Sequence, residues 1–498
     1  MYQPSFEEFA AMAQRGNLIP VYREILADLE TPVSVLTKLC KKDHVYLLES
    51  VEGGEKWGRY SFLGTDAGVI FQVRGDKVII TEKGRVEEKE HNGDPMQYLR
   101  NLLNRYQPVS VPGLPRFYGG AVGYLGYDMV RYFEKLPGGQ IDDLGLDEAV
   151  FVISDAMMIF DNIRHTIKVV ACAFTEDAAS LEESYAASCR KIADMIKTLS
   201  LPVAHQEKDS VDAGDISFSS NMSQEQYEEV VNKAKEYIKN GDVIQVVLSQ
   251  RFQTECVSNP VDLYRALRFV NPSPYLFFLK LGDATLIGSS PEVMVRLEEQ
   301  TMELRPIAGT RKRGGTEQED RQLSDELLSD EKERAEHVML VDLGRNDLGR
   351  VAQTGSVQVN QYMVVEKYSH VMHLVSNVRA QLLRGKDAFD VLAATFPAGT
   401  LTGAPKIRAM EIIDELEPLK RGTYGGAVGY FSFNGNMDLC ITIRTMLLKE
   451  GKLYIQAGAG IVYDSVPEKE HQESVNKARA MLQAVRLAAG GFALKNGR

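Results

Sequence analysis

The chain has 498 residues, a net charge of −12, and hydrophobic and charged fractions of 44% and 25%. That balance describes an ordinary soluble fold with enough apolar residues for two or more large cores. The negative charge argues against a general binder of nucleic acid or acidic membranes. Residues 1–16 lack the apolar centre of a signal peptide, and no apolar run reaches the ~20 residues of a membrane helix. Cys40, Cys172, Cys189, Cys256 and Cys440 are scattered without zinc spacing. A cytoplasmic protein with reduced thiols is expected. No Cys or Ser stands in a G-x-C-x-G or G-x-S-x-G elbow, which argues against nucleophilic acyl chemistry and a built-in glutaminase.

Apolar patterning predicts strands at 45–49, 61–63, 69–74, 77–81, 149–153 and 166–173, and a helix at 180–199 closes this part. The stretch 198–217 is polar and aperiodic and carries Pro and Gly. The expected division is therefore an N-terminal part, 1–200, a linker, 201–217, and a larger C-terminal part, 218–498. That part opens with a helix at 223–240 and continues with strands at 243–252, 275–280, 284–289 and 294–297. Helices then alternate with short strands, including one at 439–447. Short turns between neighbouring strands favour antiparallel sheets over a doubly wound parallel one. The heptapeptide YGGAVGY occurs twice, at 118–124 and 424–430. Glycine inside a strand marks close backbone approach, and the echo fits a duplication, strands packing where sheets meet, or chance.

Several motifs in the C-terminal part carry polar chemistry. The tract 271–278 (NPSPYLFF) is a rigid turn feeding an apolar strand, because Pro272 and Pro274 fix φ. Glu292, directly after Gly288-Ser-Ser-Pro, lies between two apolar strands and fits a general acid with a raised pKa. The backbone N–H groups of Gly309 and Thr310 suit a small carboxylate nest, followed by a basic loop, 311–315, read as a solvated lid. Residues 341–350 read as a polar turn ending a helix. His370 and His373 are three apart and so near one face, with His373 a candidate base. The loop 396–406 (FPAGTLTGAPK) contains Thr400 and opens onto a helix at 407–416, whose N-terminus attracts anions. Arg444, a cation among apolar strand residues, needs an acidic partner or ligand. Gly458-Ala459-Gly460 lets a ligand approach the backbone closely.

Two pairs of acids stand out. Glu333/Glu336 and Glu470/Glu473 each have i,i+3 spacing, which puts both carboxylates on one side of a helix. Two such faces brought together make an oxygen-rich site suited to Mg²⁺. Pro467 suits a first helical position, and in the helix at 468–488 Glu470, Glu473 and Lys477 edge the apolar stripe of Val475, Ala478, Met481, Leu482 and Val485. An i,i+4 pair of Glu473 with Lys477 is the competing explanation. Asp330 and Glu333 fit a capping box, which leaves Glu336, at the entry to an apolar run, without a local role.

In order along the chain, GSSPE (288–292), PIAGT (306–310), ERAEH (333–337), HVMHL (370–374), LTGAPK (401–406), TIRT (442–445), GAG (458–460) and PEKEHQESVNKA (467–478) resemble the chorismate-utilising enzymes, and among them the anthranilate synthase component I family. The resemblance implies an α+β sandwich of antiparallel β-sheets with helices packed outside and the active site in a cleft. It implies Mg²⁺ on Glu336 and Glu473, supported by Glu333 and Glu470. Glu292 is implied as general acid and His373 as the residue assisting pyruvate loss. Gly309, Thr310, Thr400, Tyr424, Arg444, Gly458, Ala459, Gly460 and Lys477 are implied as substrate-binding groups. Ala308 stands where aminodeoxychorismate synthases carry a nucleophilic lysine, and Gln245 where water-adding relatives carry a lysine base, which leaves ammonia as the nucleophile. A glutamine amidotransferase subunit is the implied ammonia source, in a hetero-oligomer. Glu49, Ser50, Pro274, Tyr275, Leu276 and Cys440 resemble a tryptophan inhibitor pocket, in which Leu276 replaces the usual methionine. An aminodeoxychorismate synthase component and a non-catalytic tryptophan-binding subunit are the alternatives.

Overall fold

In this computed structural model the described residues are 1–50, 58–65, 68–203, 216–368 and 371–492. The strands form two twelve-stranded sheets in which every ladder pairing is antiparallel. The first sheet runs outward from the central pair His44–Glu49 and Tyr275–Leu281. On one side follow Tyr60–Thr65, Ala156–Asp161, Thr166–Phe174 and Leu18–Leu26; on the other Ala284–Ser290, Thr445–Lys449, Lys452–Ile461 and Gln245–Glu255. The second sheet runs outward from Gly120–Leu125 and Ala427–Ser432 in the same manner. Ala149–Ser154, Val69–Arg74, Lys77–Glu82 and Arg85–Glu90 lie on one side. Met437–Ile441, Val293–Glu298, Thr301–Leu304 and Val371–Gln381 lie on the other.

The two halves of each sheet therefore repeat one strand order, that of a duplicated unit. The repeated heptapeptide sits on the local two-fold axis: Gly123 and Gly429, the same position in each copy, are directly opposed. A Cβ on Gly123 would come within 1.9 Å of the Val150 carbonyl, and Gly429 adopts φ +155° with the Asp438 carbonyl 2.0 Å from its would-be Cβ. Only glycine allows these backbones to close. The echo pairs within one sheet, not where two sheets meet.

The sheets pack face to face through a continuous apolar core. Phe62 of the first sheet meets Tyr430 of the second, with ring centroids 6.3 Å apart, and Phe117 stacks on Tyr430 at 3.9 Å. Central strands such as Ala149–Ser154 and Ala427–Ser432 are buried at every position, as expected for strands covered on both faces. Helices lie outside. Leu181–Leu199 begins at Ser180, whose side chain accepts from the Glu183 N–H, and Gln224–Lys239 begins at a capping box on Ser223. Both sheets draw strands from each side of the stretch 201–217, of which 204–215 lie outside the described residues.

The copies differ where the site is built. In the first, Lys77–Glu82 turns into Arg85–Glu90 through two residues. In the second, residues 305–370 intervene at the equivalent turn and contribute strand Ile307–Lys312 and helices Glu317–Ser329 and Glu331–Gly349. The expected strand at 439–447 is two strands. Met437–Ile441 belongs to the second sheet and Thr445–Lys449 to the first, joined by a break at which Arg444 takes φ +51°. Helix Glu331–Gly349 continues through the segment read as a polar turn. There Asp347 is buried and pairs with Lys406 Nζ at 2.6 Å.

Candidate active site

Glu292 follows strand Ala284–Ser290 and is 8% exposed; its carbonyl accepts from the Ile441 N–H at 3.0 Å. Burial pushes its carboxyl up to about 8, and the Thr400 hydroxyl and the Lys477 cation pull it partly back. Thr400 sits in the short turn Gly399–Leu401, and its buried hydroxyl closes no well-formed hydrogen bond among the described residues. A cleft of about 400 Å³ opens here, lined by Glu292, Thr400, Leu340, Leu343 and Asp347 among others. A second, of about 310 Å³, is lined by Tyr424, Thr442 and Arg421.

The two glutamate pairs come together. Helix Glu331–Gly349 starts at Asp330, which accepts from the Lys332 and Glu333 N–H groups. The return half of the expected capping box is absent, because Glu333 pairs with Arg311 at 3.2 Å. Glu336 is half-buried, and its Oε1 accepts from Gln245 Nε2 at 3.2 Å. Burial raises the Glu336 carboxyl, Gln245 lowers it, and the charges of Glu333 and Glu473 raise it further. Across the cleft, helix Pro467–Ala489 carries Pro467 in its first turn. Glu470 is raised by burial and by Glu473, and Ser465 pulls it down. Glu473 is half-exposed and pairs with Lys477 at 2.8 Å, the competing role weighed for it.

This donor set fits Mg²⁺ by its chemistry: hard carboxylate oxygens from two helices, with the charges of Glu333 and Glu473 both acting on Glu336. No three acidic, His or Cys side chains converge on one point among the described residues. The set thus offers one or two carboxylate ligands and leaves other positions to water and substrate, which is the habit of Mg²⁺.

The remaining groups gather on the far side. His373 lies on strand Val371–Gln381, paired in register with Thr310 and Glu366. The other histidine of the expected pair, His370, lies outside the described residues. The His373 Nδ1 is 3.0 Å from the Gly309 carbonyl and 3.1 Å from Thr310 Oγ1. A carbonyl only accepts, so Nδ1 carries the proton and Nε2 is left as the base. Burial lowers the His373 pKa, and the nearby Arg444 cation lowers it further. Gly309, at φ +64°, forms the bulge between Ala308 and Thr310. Arg444 has no ion-pair or side-chain hydrogen-bond partner among the described residues, and burial lowers its pKa. Tyr424 is buried, which pushes its hydroxyl pKa up.

Gly458, Ala459 and Gly460 pair with Ser249, Leu248 and Val247. The Gly458 carbonyl accepts from Lys477 Nζ at 3.0 Å. The room beside Gly460 is filled from within the protein: a Cβ there would lie 2.3 Å from Gln245 Nε2. The glycine thus admits Gln245 to Glu336, a role not foreseen. The basic loop is no free lid. Arg311 reaches Glu326, Asp330 and Glu333, and Arg313 grips Asp320 at 2.6 Å.

The expected inhibitor residues also assemble. Glu49 is buried and opposes Leu276 in register. It accepts from the Tyr264 hydroxyl and lies 3.4 Å from Arg268. Burial raises its carboxyl pKa, and Arg268 opposes that. Tyr275 donates to Asp438 at 2.8 Å, and Cys440 is buried nearby. Ser50 and Pro274 flank these residues in the chain, and 51–57 lie outside the described residues.

Residues 50–483 match the profile of the chorismate binding enzyme family. The chain is 48% identical over 494 residues to anthranilate synthase component 1 of Acetivibrio thermocellus, covering 97% of this chain and 99% of that protein. It is 50% identical over 491 residues to anthranilate synthase component 1 of Aquifex aeolicus (strain VF5), covering 97% and 98%. The crystal structure of anthranilate synthase component I from Streptococcus pneumoniae TIGR4 superposes with a TM-score of 0.77 at 40% identity, covering 87% of this chain and 95% of that one. Among the described residues no helix is long and apolar enough to cross a membrane.

Proposed function

The chain belongs to the chorismate binding enzymes, within the anthranilate synthase component I family, and we propose that it forms anthranilate and pyruvate from chorismate and ammonia with Mg²⁺ bound, as the first step of tryptophan synthesis in the cytoplasm. The observation that carries this reading is Glu292, a buried carboxyl with a pKa of about 8. It keeps its proton at neutral pH and donates it to the C4 hydroxyl of chorismate, which leaves as water while ammonia attacks C2. Arg444, with no other charge to serve among the described residues, takes a substrate carboxylate. Neutral His373 accepts the C2 proton at Nε2 as the C3–O bond breaks, releasing enolpyruvate, which becomes pyruvate, and leaving an aromatic ring. Mg²⁺, when held by Glu336 and Glu473, would neutralise the ring carboxylate.

Ammonia comes from a glutamine amidotransferase subunit, because this chain has no nucleophile elbow of its own. The isolated chain with chorismate, ammonium and Mg²⁺ is expected to release fluorescent anthranilate. Release of 4-amino-4-deoxychorismate, or tryptophan binding without any turnover, would overturn the reading.

Tryptophan inhibits by occupying the region of Glu49, Ser50, Pro274, Tyr275, Leu276 and Cys440. Glu49 is the buried acidic side chain there, placed to accept hydrogen bonds from an ammonium group. Glu49→Gln is expected to raise the tryptophan concentration for half-inhibition by roughly tenfold or more, read against the variant's own uninhibited rate. Unchanged inhibition would remove Glu49 from the pocket.

A further inference from the structure

Arg421 is only 1% exposed, yet its guanidinium spends almost all its donors on the scaffold of the site. Nε donates to Glu417 Oε2 at 2.8 Å, and Nη2 to Glu417 Oε1 at 2.6 Å. Nη1 donates to the Leu401 carbonyl and Nη2 to that of Val247, both at 2.7 Å. Glu417 Oε1 also accepts from the Ser249 N–H and hydroxyl, at 2.8 and 2.9 Å. The guanidinium lies 4.7 Å from the Tyr127 ring centroid and 5.6 Å from that of Tyr424.

A buried ion pair is a poor stabiliser. Desolvating both charges offsets their attraction, and apolar replacements of similar volume are often neutral or better. What this pair supplies is geometry, through a planar fork that lysine cannot reproduce. One arm ends on Leu401, next to Thr400, whose hydroxyl faces Glu292. The other ends on Val247, two residues from Gln245, which holds Glu336. The two held segments also bond each other, Val247 N–H to the Thr402 carbonyl at 2.8 Å.

We propose that Arg421 is a positioning residue for the reaction, fixing Thr400 against Glu292 and Gln245 against Glu336 from behind both. The inference rests on the lyase reading given above. Arg421→Lys keeps the cation beside Glu417 but cannot hold both carbonyls. It is expected to lower kcat by up to about a hundredfold, while KM for chorismate rises by less than about threefold, because Arg444 and Lys477 are untouched. Circular dichroism and melting would show the variant folded. Glu417→Gln, which loosens the same fork from its other end, is expected to give the same split.

Wild-type kcat in a folded Arg421→Lys chain would overturn the proposal. So would failure of both variants to fold, which makes the pair structural only. A wild-type chain that makes no anthranilate would instead overturn the lyase reading.

Discussion

Glu292→Gln is expected to lower kcat for anthranilate formation by roughly 10²–10⁴-fold, with the chain still folded. Glutamine keeps the shape of the side chain and removes the proton the departing hydroxyl needs. The pH dependence follows from burial. A carboxyl with a folded pKa of about 8 works as an acid below that value, so the wild-type rate should fall about tenfold per unit above it, and the variant's residual rate should lack that limb. The sign for stability is the same. The folded pKa lies above the ordinary 4.5, so the folded state binds the proton more tightly. The stabilisation is fully present below about 4.5 and is lost as pH rises through about 8. Glu292→Gln should therefore flatten the decline of melting temperature between about pH 4.5 and about pH 8. A wild-type rate that stays level beyond pH 9, or a variant with near-normal kcat, would remove Glu292 as the acid.

Much of this site is legible in the sequence because its signals are local. Pro467 in a first turn and Asp330 at an N-cap announce their helices, and i,i+3 spacing places the glutamates on helix faces. Other features depend on distant chain. LCITIRTML reads as one strand, since nothing local marks a residue at φ +51°, yet that break carries the chain from one sheet to the other and sets Arg444 between them. Gly460 reads as room for a ligand, and its neighbour turns out to be Gln245 from the paired strand. Arg311 and Arg313 read as a mobile lid because their acidic partners lie on helices further along the chain. Arg421 is hidden most thoroughly. Charged residues are rarely fully buried, and its acceptors, Leu401 and Val247, are backbone carbonyls with no sequence signature.

Glu336→Gln and Glu473→Gln are each expected to weaken the apparent Mg²⁺ affinity by at least about a hundredfold, since losing an outer partner of a metal ligand alone costs 10–100-fold. The two variants should nonetheless differ in ways that identify the residues. Glu473 is 49% exposed on its side chain and its partner Lys477 41% exposed, and such exposed pairs contribute little to stability. Glu473→Gln should therefore melt like the wild type. Glu336 is held above the ordinary carboxyl range by burial and by the charges of Glu333 and Glu473, and it binds Gln245 Nε2 through an oxygen that glutamine also offers. Glu336→Gln removes a repulsion and should melt at or above the wild-type temperature without Mg²⁺, while losing the stabilisation that Mg²⁺ gives the wild type. A melting series with and without Mg²⁺ reads this apart from turnover. Equal Mg²⁺ stabilisation in all three proteins would place the ion elsewhere. Loss in Glu336→Gln alone would leave Glu473 as the partner of Lys477, holding the lysine against the Gly458 carbonyl and the substrate cleft.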